Sequence, residues 1–381
     1  MTQSYKHLFA RSLAAAPERL HFAAHSHHLW PDASYVGQLA AWQDAARLAD
    51  RKWGRVMDEI WPLAQRYVAE EIGAPDPSTV VFAGNTHDFL IRIASAIGHR
   101  PLRILTSQGE FHSFRRQADR WEEAGEAVIE RLPVGAGLAD RLVEAAGKAH
   151  YDLIFVSQTM FGTGTVIAGL DRVAALSRPE GPWVVIDGYH GFMAVETDIS
   201  AYADRAFYLS GGYKYAMSGE GVGLMHAPHG FAARPVLTGW YAEFEDLAAP
   251  PGHIGYAPDA RRFLGSTFDP SGLYRFVAVR EMLRDEGLTT ASMSAHVDSL
   301  KAELLDRIDG TPLAGAELLH AAGPGQARFL AFRSASAQSW QKALLEQEVI
   351  TDARGDVLRI GFGLYHDARD VAKLHAALTA I

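Results

Sequence analysis

The chain has 381 residues, 48% of them hydrophobic and 21% charged, with a formal net charge of −9 and no cysteine. This is the composition of a globular protein, and its acidic balance gives no electrostatic reason to expect a nucleic-acid partner. The lack of cysteine excludes disulfides, thiolate metal ligands and a cysteine nucleophile. No apolar run approaches the roughly 20 residues of a membrane-spanning helix, and residues 1–20 lack the apolar stretch of a secretory signal. We therefore expect a cytoplasmic protein without a membrane partner.

Short apolar runs alternate with helical patterns through the first two thirds of the chain, which is typical of a parallel α/β sheet. One or two long helices are predicted over 32–73. Strands are then predicted at 79–83, 102–106, 153–157, 183–186, 206–210 and 221–227. Helices are predicted between them at 88–97, 113–124, 138–149 and 170–177.

The composition changes at 248–252, where the sequence Ala-Ala-Pro-Pro-Gly predicts a loop or linker. Helices are predicted beyond it at 274–284 and 289–308, followed by a strand–helix–strand–helix order at 328–333, 338–348, 357–362 and 367–378. We expect an α/β fold in which residues 46–270 form a large domain on a mainly parallel sheet. Residues 271–381 are expected to form a smaller α+β domain, to which residues 1–45 contribute as an arm.

Two residues of the predicted sheet region stand out for their chemistry. Asp187 directly follows the apolar run at 183–186, and Lys214 follows downstream between Tyr213 and Tyr215. In an open parallel sheet, ligands bind beyond the carboxyl ends of the strands, where Asp187 would lie. Each residue alone would suit a turn or a solvated surface. Together they are the carboxylate and the imine-forming amine that pyridoxal 5'-phosphate (PLP) requires from a protein.

The turn after the first predicted strand of the sheet has the features of an anion site. Asn85, Thr86 and His87 lie between that strand and the helix at 88–97. Exposed backbone amides at a helix start, with a threonine hydroxyl added, suit a phosphate. Asparagine and threonine also cap helices for purely structural reasons, so both interpretations stay open for this turn.

Arg359 and a histidine cluster are the remaining polar features. Arg359 lies inside the predicted apolar strand at 357–362 and needs a carboxylate there, which either a ligand or a structural salt bridge could supply. His25, Ser26 and His27 belong to the densest histidine segment of the chain. No acidic ligand or His-Glu-x-x-His pattern accompanies it, so we favour a polar loop at an active site or interface over a zinc site, and we expect no metal.

With these residues assembled, the chain resembles fold-type I PLP-dependent enzymes of the class V aminotransferase group, and kynureninases in particular, over residues 22–378. The sequence Asp-Gly-Tyr-His at 187–190 resembles the kynureninase Asp-Leu-Ala-His segment. Tyr-Lys-Tyr at 213–215 resembles the Schiff-base motif of that family, and 358–365 resembles its C-terminal Arg-Phe-Gly…Leu-Tyr segment. The resemblance implies PLP as the cofactor and a small amino acid as the substrate.

The resemblance also implies roles for individual residues. Lys214 would hold PLP as an imine and move the Cα proton, Asp187 would pair with the pyridine nitrogen, and His190 would lie near the ring and substrate. The other implied cofactor contacts are Asn85, Thr86, His87, Tyr213, Trp240, Thr267, and either Phe111 or His112 stacked on the ring. The implied substrate contacts are Arg359, His25, Ser26 and His27.

A homodimer is implied as well, because in the family the tryptophan and threonine that match Trp240 and Thr267 reach a cofactor phosphate, the threonine in the neighbouring subunit. The chain departs from kynureninases mainly on the substrate side, where 25–28 reads His-Ser-His-His instead of Asn-Ser-Leu-Gly. Phe268 also replaces the proline that usually follows the phosphate threonine.

The expected function is a kynureninase-like hydrolysis of a Cβ–Cγ bond, with a class V aminotransferase as the alternative. A PLP-dependent lyase or epimerase, a non-catalytic relative, and a metal-dependent hydrolase built on the His25 cluster are further alternatives. A cysteine desulfurase is disfavoured, because that reaction passes sulfur to a protein thiol and this chain has none.

Overall fold

The structure, a computed structural model, describes residues 4–246, 252, 254–320, 323 and 325–381. Its strands are β1 (Leu20–His21), β2 (Val80–Ala83), β3 (Leu102–Ser107), β4 (Ala127–Leu132), β5 (Leu153–Ser157), β6 (Trp183–Asp187), β7 (Ala206–Gly211), β8 (Gly223–His226), β9 (Glu317–Leu318), β10 (Phe329–Arg333), β11 (Val349–Ile350), β12 (Asp352–Arg354) and β13 (Val357–Gly361). Its α-helices are α1 (Ala10–Ala14), α2 (Asp32–Leu48), α3 (Lys52–Arg55), α4 (Trp61–Ile72), α5 (Thr86–Ser95), α6 (His112–Glu123), α7 (Leu138–Lys148), α8 (Leu170–Ala174), α9 (Ser271–Asp285), α10 (Thr290–Leu305), α11 (Ala337–Leu345) and α12 (Ala368–Thr379).

The central sheet has the strand order β2-β8-β7-β6-β5-β3-β4. Its pairings from β4 to β7 are parallel, whereas β8 runs antiparallel to both of its neighbours. The residues of β5 and β7 are buried along their whole length, as expected for central strands that are covered on both faces. The predicted mainly parallel α/β sheet is therefore present.

The edge strand β4 is missing from the sequence prediction. Its residues alternate between buried Ala127 and Ile129 and exposed Val128 and Glu130. An edge strand that meets solvent on one face keeps charged residues, so it lacks the continuous apolar run of the central strands. The period-two alternation over 127–132 was the available signal.

Two main apolar clusters hold the structure together. The larger one packs helices α4, α5 and α9 against the central sheet and includes Trp61, Phe89 and Phe276. The second joins α10, α12 and the sheet β12-β13-β10-β9. Leu20–His21 pairs with Val349–Ile350, which fixes the N-terminal segment to this C-terminal part. The domain boundaries at 45/46 and 270/271 stay a prediction, and the linker expected at 248–252 lies outside the described residues apart from Gly252.

The sheet brings the predicted chemical groups to one edge. Ser157 ends β5 and lies opposite Asp187, which ends β6, and Asp187 lies opposite Leu209 of β7. The turn that carries Lys214 begins directly after β7. Because parallel strands end at the same side of a sheet, residues distant in sequence meet there.

The close packing of Gly361 in β13 against His25 predicts that a larger residue at position 361 destabilises the protein. A β-carbon at Gly361 would lie 2.0 Å from Nδ1 of His25. Gly361→Ala should therefore lower the free energy of unfolding by roughly 1–3 kcal/mol, measured by urea denaturation. The control is Gly147→Ala in α7, where nothing lies within 4 Å of the added carbon. Alanine favours a helix, so this control should be neutral or stabilising, and equal behaviour of the two variants would contradict the packing described.

Candidate active site

A cavity of about 340 Å³ opens at the carboxyl ends of β5, β6 and β7, beside the first residues of α5 and α6. The predicted site residues that line it are Asn85, Thr86, His87, Phe111, Asp187, His190, Tyr213 and Lys214. The predicted residues that do not line it are His25, Ser26, His27, His112, Trp240, Thr267 and Arg359. The structure thus brings the predicted cofactor residues of the large sheet together and leaves all four predicted substrate residues outside this cavity.

Lys214 lies in a tight turn and is almost completely buried, with 4% of its surface exposed. The N–H of Met217 donates to the Lys214 carbonyl at 3.0 Å, and Met217 adopts a φ of 54°, which is unusual for a residue with a side chain. Nζ donates to the Tyr213 hydroxyl at 3.1 Å and lies 4.3 Å from the centre of the Tyr189 ring. Burial lowers the pKa of Lys214 to about 7, so much of the amine is uncharged and nucleophilic near neutral pH.

Lys301 shows what a structural buried lysine looks like in the same chain. Its side chain is completely buried in α10. Nζ lies 2.7 Å from the Asp298 carboxylate and donates to the Ala327 carbonyl at 2.9 Å. Lys301 is therefore held as a paired ammonium, whereas Lys214 faces a cavity and has a tyrosine hydroxyl as its hydrogen-bond partner.

Asp187 presents a buried carboxyl group to the same cavity. Its Oδ1 accepts a hydrogen bond from the Tyr189 N–H at 2.9 Å. Burial raises the pKa of Asp187, while this hydrogen bond and the charge of Lys214 lower it. A carboxylate held by the end of a central strand can accept a hydrogen bond from a protonated pyridine nitrogen, which is the role predicted for it.

Glu110 is a second buried carboxyl group that the sequence interpretation did not assign. Its two oxygens accept hydrogen bonds from the hydroxyls of Ser107 and Ser157, each at 2.5 Å. Burial raises the pKa of Glu110 to about 7, and the nearby Asp187 charge adds to this effect. No local sequence pattern predicts this burial, because the partner Ser157 lies 47 residues further along the chain at the end of β5.

The predicted phosphate turn lies at the start of α5. Asn85 caps the helix by accepting a hydrogen bond from the Asp88 N–H at 3.0 Å, and Thr86 is the first helical residue. A β-carbon at Gly223 would lie only 2.5 Å from the Asn85 carbonyl carbon, so glycine in β8 allows the turn to approach the sheet. His87 Nε2 lies 3.1 Å from the Gln117 side-chain oxygen. Asn85, Thr86 and His87 line the cavity at this helix start, a position that favours an anion.

Phe111 and His112 were left as alternatives for stacking on the cofactor ring. Phe111 lines the cavity, and its ring centre lies 5.3 Å from Nζ of Lys214. His112 is exposed and does not line the cavity, and its Nδ1 lies 2.6 Å from Arg115. The geometry favours Phe111, and its stacking role stays a prediction.

Arg359 has a partner within the chain. It lies in β13 directly opposite Asp352 of β12, and its Nη2 donates to the Asp352 carboxylate. Its Nη1 donates to the Phe161 carbonyl at 2.6 Å, and Phe161 lines the cavity. The structural salt bridge, one of the two interpretations left open for Arg359, is therefore formed. Asp352 was missed, although a two-residue hairpin turn at Gly355 was a signal that pairs these positions.

The histidine segment borders the site from the N-terminal side. His25 is completely buried and stacks on Phe329 at 4.7 Å between ring centres. Neither of its ring nitrogens has a hydrogen-bond partner in the part of the chain that the structure describes. Ser26 and His27 line a second cavity of about 360 Å³, and the His27 ring stacks on Tyr213 at 4.9 Å. The segment therefore packs on both the Lys214 turn and the Arg359 strand.

Trp240 and Thr267 lie at the surface of the protomer. Trp240 is 42% exposed and Thr267 is also exposed. Their predicted contacts with a cofactor phosphate stay a prediction.

Among the described residues no group of three or more His, Cys, Asp or Glu side chains is placed to hold a metal ion. None of the described helices is long and apolar enough to cross a membrane.

Buried neutral histidines predict that the protein loses stability in mild acid. Burial lowers the pKa of His28 to about 3 and that of His21 to about 4, from an ordinary value of 6.5. Below about pH 6.5 these histidines therefore bind protons in the unfolded chain but not in the folded protein. Each of them should lower the free energy of unfolding by roughly 1.4 kcal/mol per pH unit until the pH reaches its folded pKa.

Urea denaturation near pH 7.5 and near pH 5.5 measures this effect, and we expect a clearly lower unfolding free energy at the acidic pH. His28→Gln should reduce the difference between the two pH values. An unfolding free energy that is independent of pH over this range would contradict the description of these histidines.

The chain is similar to known proteins over nearly its whole length. Residues 50–374 match the family described as Aminotransferase class-V. The chain is 25% identical over 346 residues to isopenicillin N epimerase of Streptomyces clavuligerus, a match that covers 84% of each chain.

Solved structures show the same fold. The cystine C-S lyase C-DES, in complex with its reaction product cysteine persulfide, has a TM-score of 0.81 at 18% identity, covering 97% of this chain and 99% of that one. A C-DES variant with glycine covalently linked to its PLP cofactor has a TM-score of 0.82 at 17% identity, covering 99% of both chains. The cysteine desulfurase CsdA of Escherichia coli has a TM-score of 0.79 at 19% identity, covering 98% of this chain and 96% of that one.

These similarities confirm the predicted fold class and agree with the site, which holds a buried amine, a buried carboxyl group and a helix start around one cavity. They do not support the kynureninase-like hydrolysis that was expected from the sequence. The chain belongs to the class V aminotransferase family and is a PLP-dependent enzyme of fold type I.

Proposed function

We propose that Lys214 is the residue that binds PLP and that it moves the proton at Cα of a small α-amino acid, with epimerisation at that carbon as the outcome. The single observation that carries the proposal is the setting of Lys214. Its amine is buried, its pKa is lowered to about 7, and it shares a cavity with Asp187. A lysine with these properties can form an imine and also exchange a proton near neutral pH.

PLP, when bound, supplies the electron sink that makes loss of a Cα proton feasible. Asp187 would hold the proton at the pyridine nitrogen, because its buried carboxyl group has one oxygen tied to the Tyr189 N–H. Asn85, Thr86 and His87 would bind the phosphate at the start of α5, and Phe111 would cover the ring. Tyr213 would keep the Lys214 amine in place through its hydroxyl, 3.1 Å from Nζ.

Epimerisation is favoured among the possible outcomes by two observations. Isopenicillin N epimerase is similar to this chain over 84% of its length, which is long enough to include the cavity residues from Asn85 to Lys214. The cavity also holds further groups that can carry a proton, namely Tyr213 next to Lys214 and His190, whose Nδ1 has no hydrogen-bond partner in the described structure. A desulfurase that passes sulfur to its own thiol is excluded, because the chain has no cysteine.

Arg359 is proposed as the group that binds the substrate carboxylate. Its guanidinium is 3% exposed and lies against the carbonyl of Phe161, a residue of the cavity wall. His25, Ser26 and His27 are proposed to border the substrate, because this segment packs between Tyr213 and the Arg359 strand. Neither ring nitrogen of His25 has a hydrogen-bond partner among the residues that the structure describes, so both could bind a polar substrate group.

A second copy of this chain is proposed to complete the site. The outer face of α2 exposes Tyr35, Val36, Leu39 and Trp42, with exposed fractions of 45%, 62%, 39% and 68%. An exposed apolar face of this kind marks an interaction surface. Trp240 is also exposed, and the partner's copy of Trp240 or Thr267 would contact the phosphate as the family resemblance implies.

The PLP linkage is tested by borohydride reduction of the PLP-loaded protein followed by peptide mass spectrometry. We expect the reduced cofactor on the peptide that contains Lys214, and Lys214→Ala should carry none. Lys301→Ala is the matched control, because Lys301 is the buried lysine that is paired with Asp298. The assignment would be wrong if Lys214→Ala kept the linkage or if Lys301→Ala lost it.

The reaction is tested with a panel of L- and D-amino acids, including kynurenine, in deuterated water. The proposal predicts deuterium at Cα together with formation of the mirror-image amino acid. Lys214→Ala should abolish both, since the proton carrier is removed. Release of a keto acid without inversion at Cα would identify a transaminase. Formation of anthranilate and alanine from kynurenine would identify the hydrolase. Either result would contradict epimerisation.

A further inference from the structure

We propose that Asp352 is a built-in competitor for the substrate carboxylate at Arg359. In this proposal the incoming carboxylate takes the guanidinium edge that Asp352 now contacts, and Asp352 moves its charge to Arg354. Asp352 thereby sets how strongly any α-amino acid binds. The inference rests on the proposed function, because it takes Arg359 as the carboxylate-binding residue.

The contact between Asp352 and Arg359 is incomplete, because only one nitrogen of the Arg359 guanidinium binds the Asp352 carboxylate. Nη2 donates to Asp352 Oδ2, and Nη1 donates to the Phe161 carbonyl at 2.6 Å. Nε is buried and has no hydrogen-bond partner among the described residues. Nε and Nη2 form one edge of the guanidinium, and a carboxylate binds such an edge with two parallel hydrogen bonds. Asp352 uses half of this edge, and a substrate carboxylate could use all of it.

A second partner for Asp352 is already in contact with it. Nε of Arg354 lies 3.3 Å from Asp352 Oδ1, and the Arg354 side chain is 52% exposed. Asp352 and Arg354 also line the second cavity of about 360 Å³, together with Ser26 and His27. The Asp352 carboxylate therefore contacts a second cation, Arg354, and borders a cavity into which it can move.

Charge balance favours an exchange over simple addition of the substrate. Arg359 brings one positive charge to this part of the site, and its ion-pair partner Asp352 brings one negative charge. A substrate carboxylate that joined the existing pair would place two carboxylates on one buried guanidinium, which costs free energy. When Asp352 moves to Arg354, the guanidinium keeps a single carboxylate, and the displaced charge reaches the more exposed side of the hairpin.

The opposite role for Asp352 is that of a strut that holds Arg359 in the correct orientation. The two roles predict opposite signs. Loss of a competitor strengthens substrate binding, whereas loss of a strut weakens it. Substitution of Arg354 distinguishes the two roles further, because Asp352 without its Arg354 contact should bind Arg359 more tightly.

The experiment is an equilibrium titration of PLP-loaded protein with glycine, followed by absorbance and by calorimetry. Glycine carries the α-carboxylate and makes no demand on a side-chain pocket. Asp352→Asn should lower the dissociation constant of glycine about tenfold, as expected from loss of one charged hydrogen bond. Arg354→Gln should raise the dissociation constant severalfold. The double variant should behave like Asp352→Asn, because Arg354 acts only through Asp352.

Arg333→Gln in β10 is the matched control, since Arg333 is a half-exposed arginine of the same small sheet and its ion-pair partners are Glu317 and Asp356. It should leave glycine binding unchanged. Arg354→Gln alters a side chain that is 52% exposed, so it keeps the test informative if Asp352→Asn is poorly folded.

The outcomes distinguish this inference from the proposed function. Weaker glycine binding by both Asp352→Asn and Arg359→Ala would overturn the competitor role and leave Arg359 as the carboxylate residue. Unchanged glycine binding by Arg359→Ala would overturn the proposed role of Arg359 and the inference with it. An Arg354→Gln variant that binds glycine as tightly as the wild type would contradict the transfer of Asp352 to Arg354.

Discussion

The removal of the Lys214 amine from water is the constraint on which the rest of the site depends. Burial lowers the pKa of this amine to about 7, and the fold must then provide groups that make an uncharged lysine useful. The parallel sheet does so by ending β6 at Asp187 and β7 just before the lysine turn. Lys301, which is equally buried but paired with Asp298, shows that burial alone does not create such a site.

The surrounding charges form two connected sets. Asp187 lines the cavity and accepts a hydrogen bond from a backbone N–H, and the neighbouring Glu110 accepts hydrogen bonds from two serine hydroxyls. Arg359 and Asp352 lie on the side of the small sheet, where Nε of Arg359 has no hydrogen-bond partner within the described parts of the chain. In the first set both Glu110 oxygens and Oδ1 of Asp187 accept hydrogen bonds, which suits groups that hold a cofactor in place. The second set is incompletely bonded and suits a substrate that must come and go.

The sequence predicted the sheet and the cofactor side of the site because their signals are local. Apolar runs marked the central strands, and Asp187 and Lys214 stood at the ends of such runs. The edge strand β4 escaped notice, because its solvent face carries Glu130 within the apolar pattern. The partner of Arg359 was also missed, since it depends on the pairing register of a hairpin. Glu110 could not be assigned, because its burial results from the packing of β3, β5 and α6 against each other.

The pH dependence of PLP binding to the cofactor-free protein tests the central claim most directly. Stopped-flow absorbance gives the rate of imine formation, and phosphate-free pyridoxal controls for ionisation of the phosphate. A buried amine with a pKa of about 7 predicts a rate that rises with pH and levels off above neutrality. The ordinary pKa of a lysine is 10.5. If the rate continued to rise as the pH approached 10.5, Lys214 would be protonated near neutral pH, which would contradict the account.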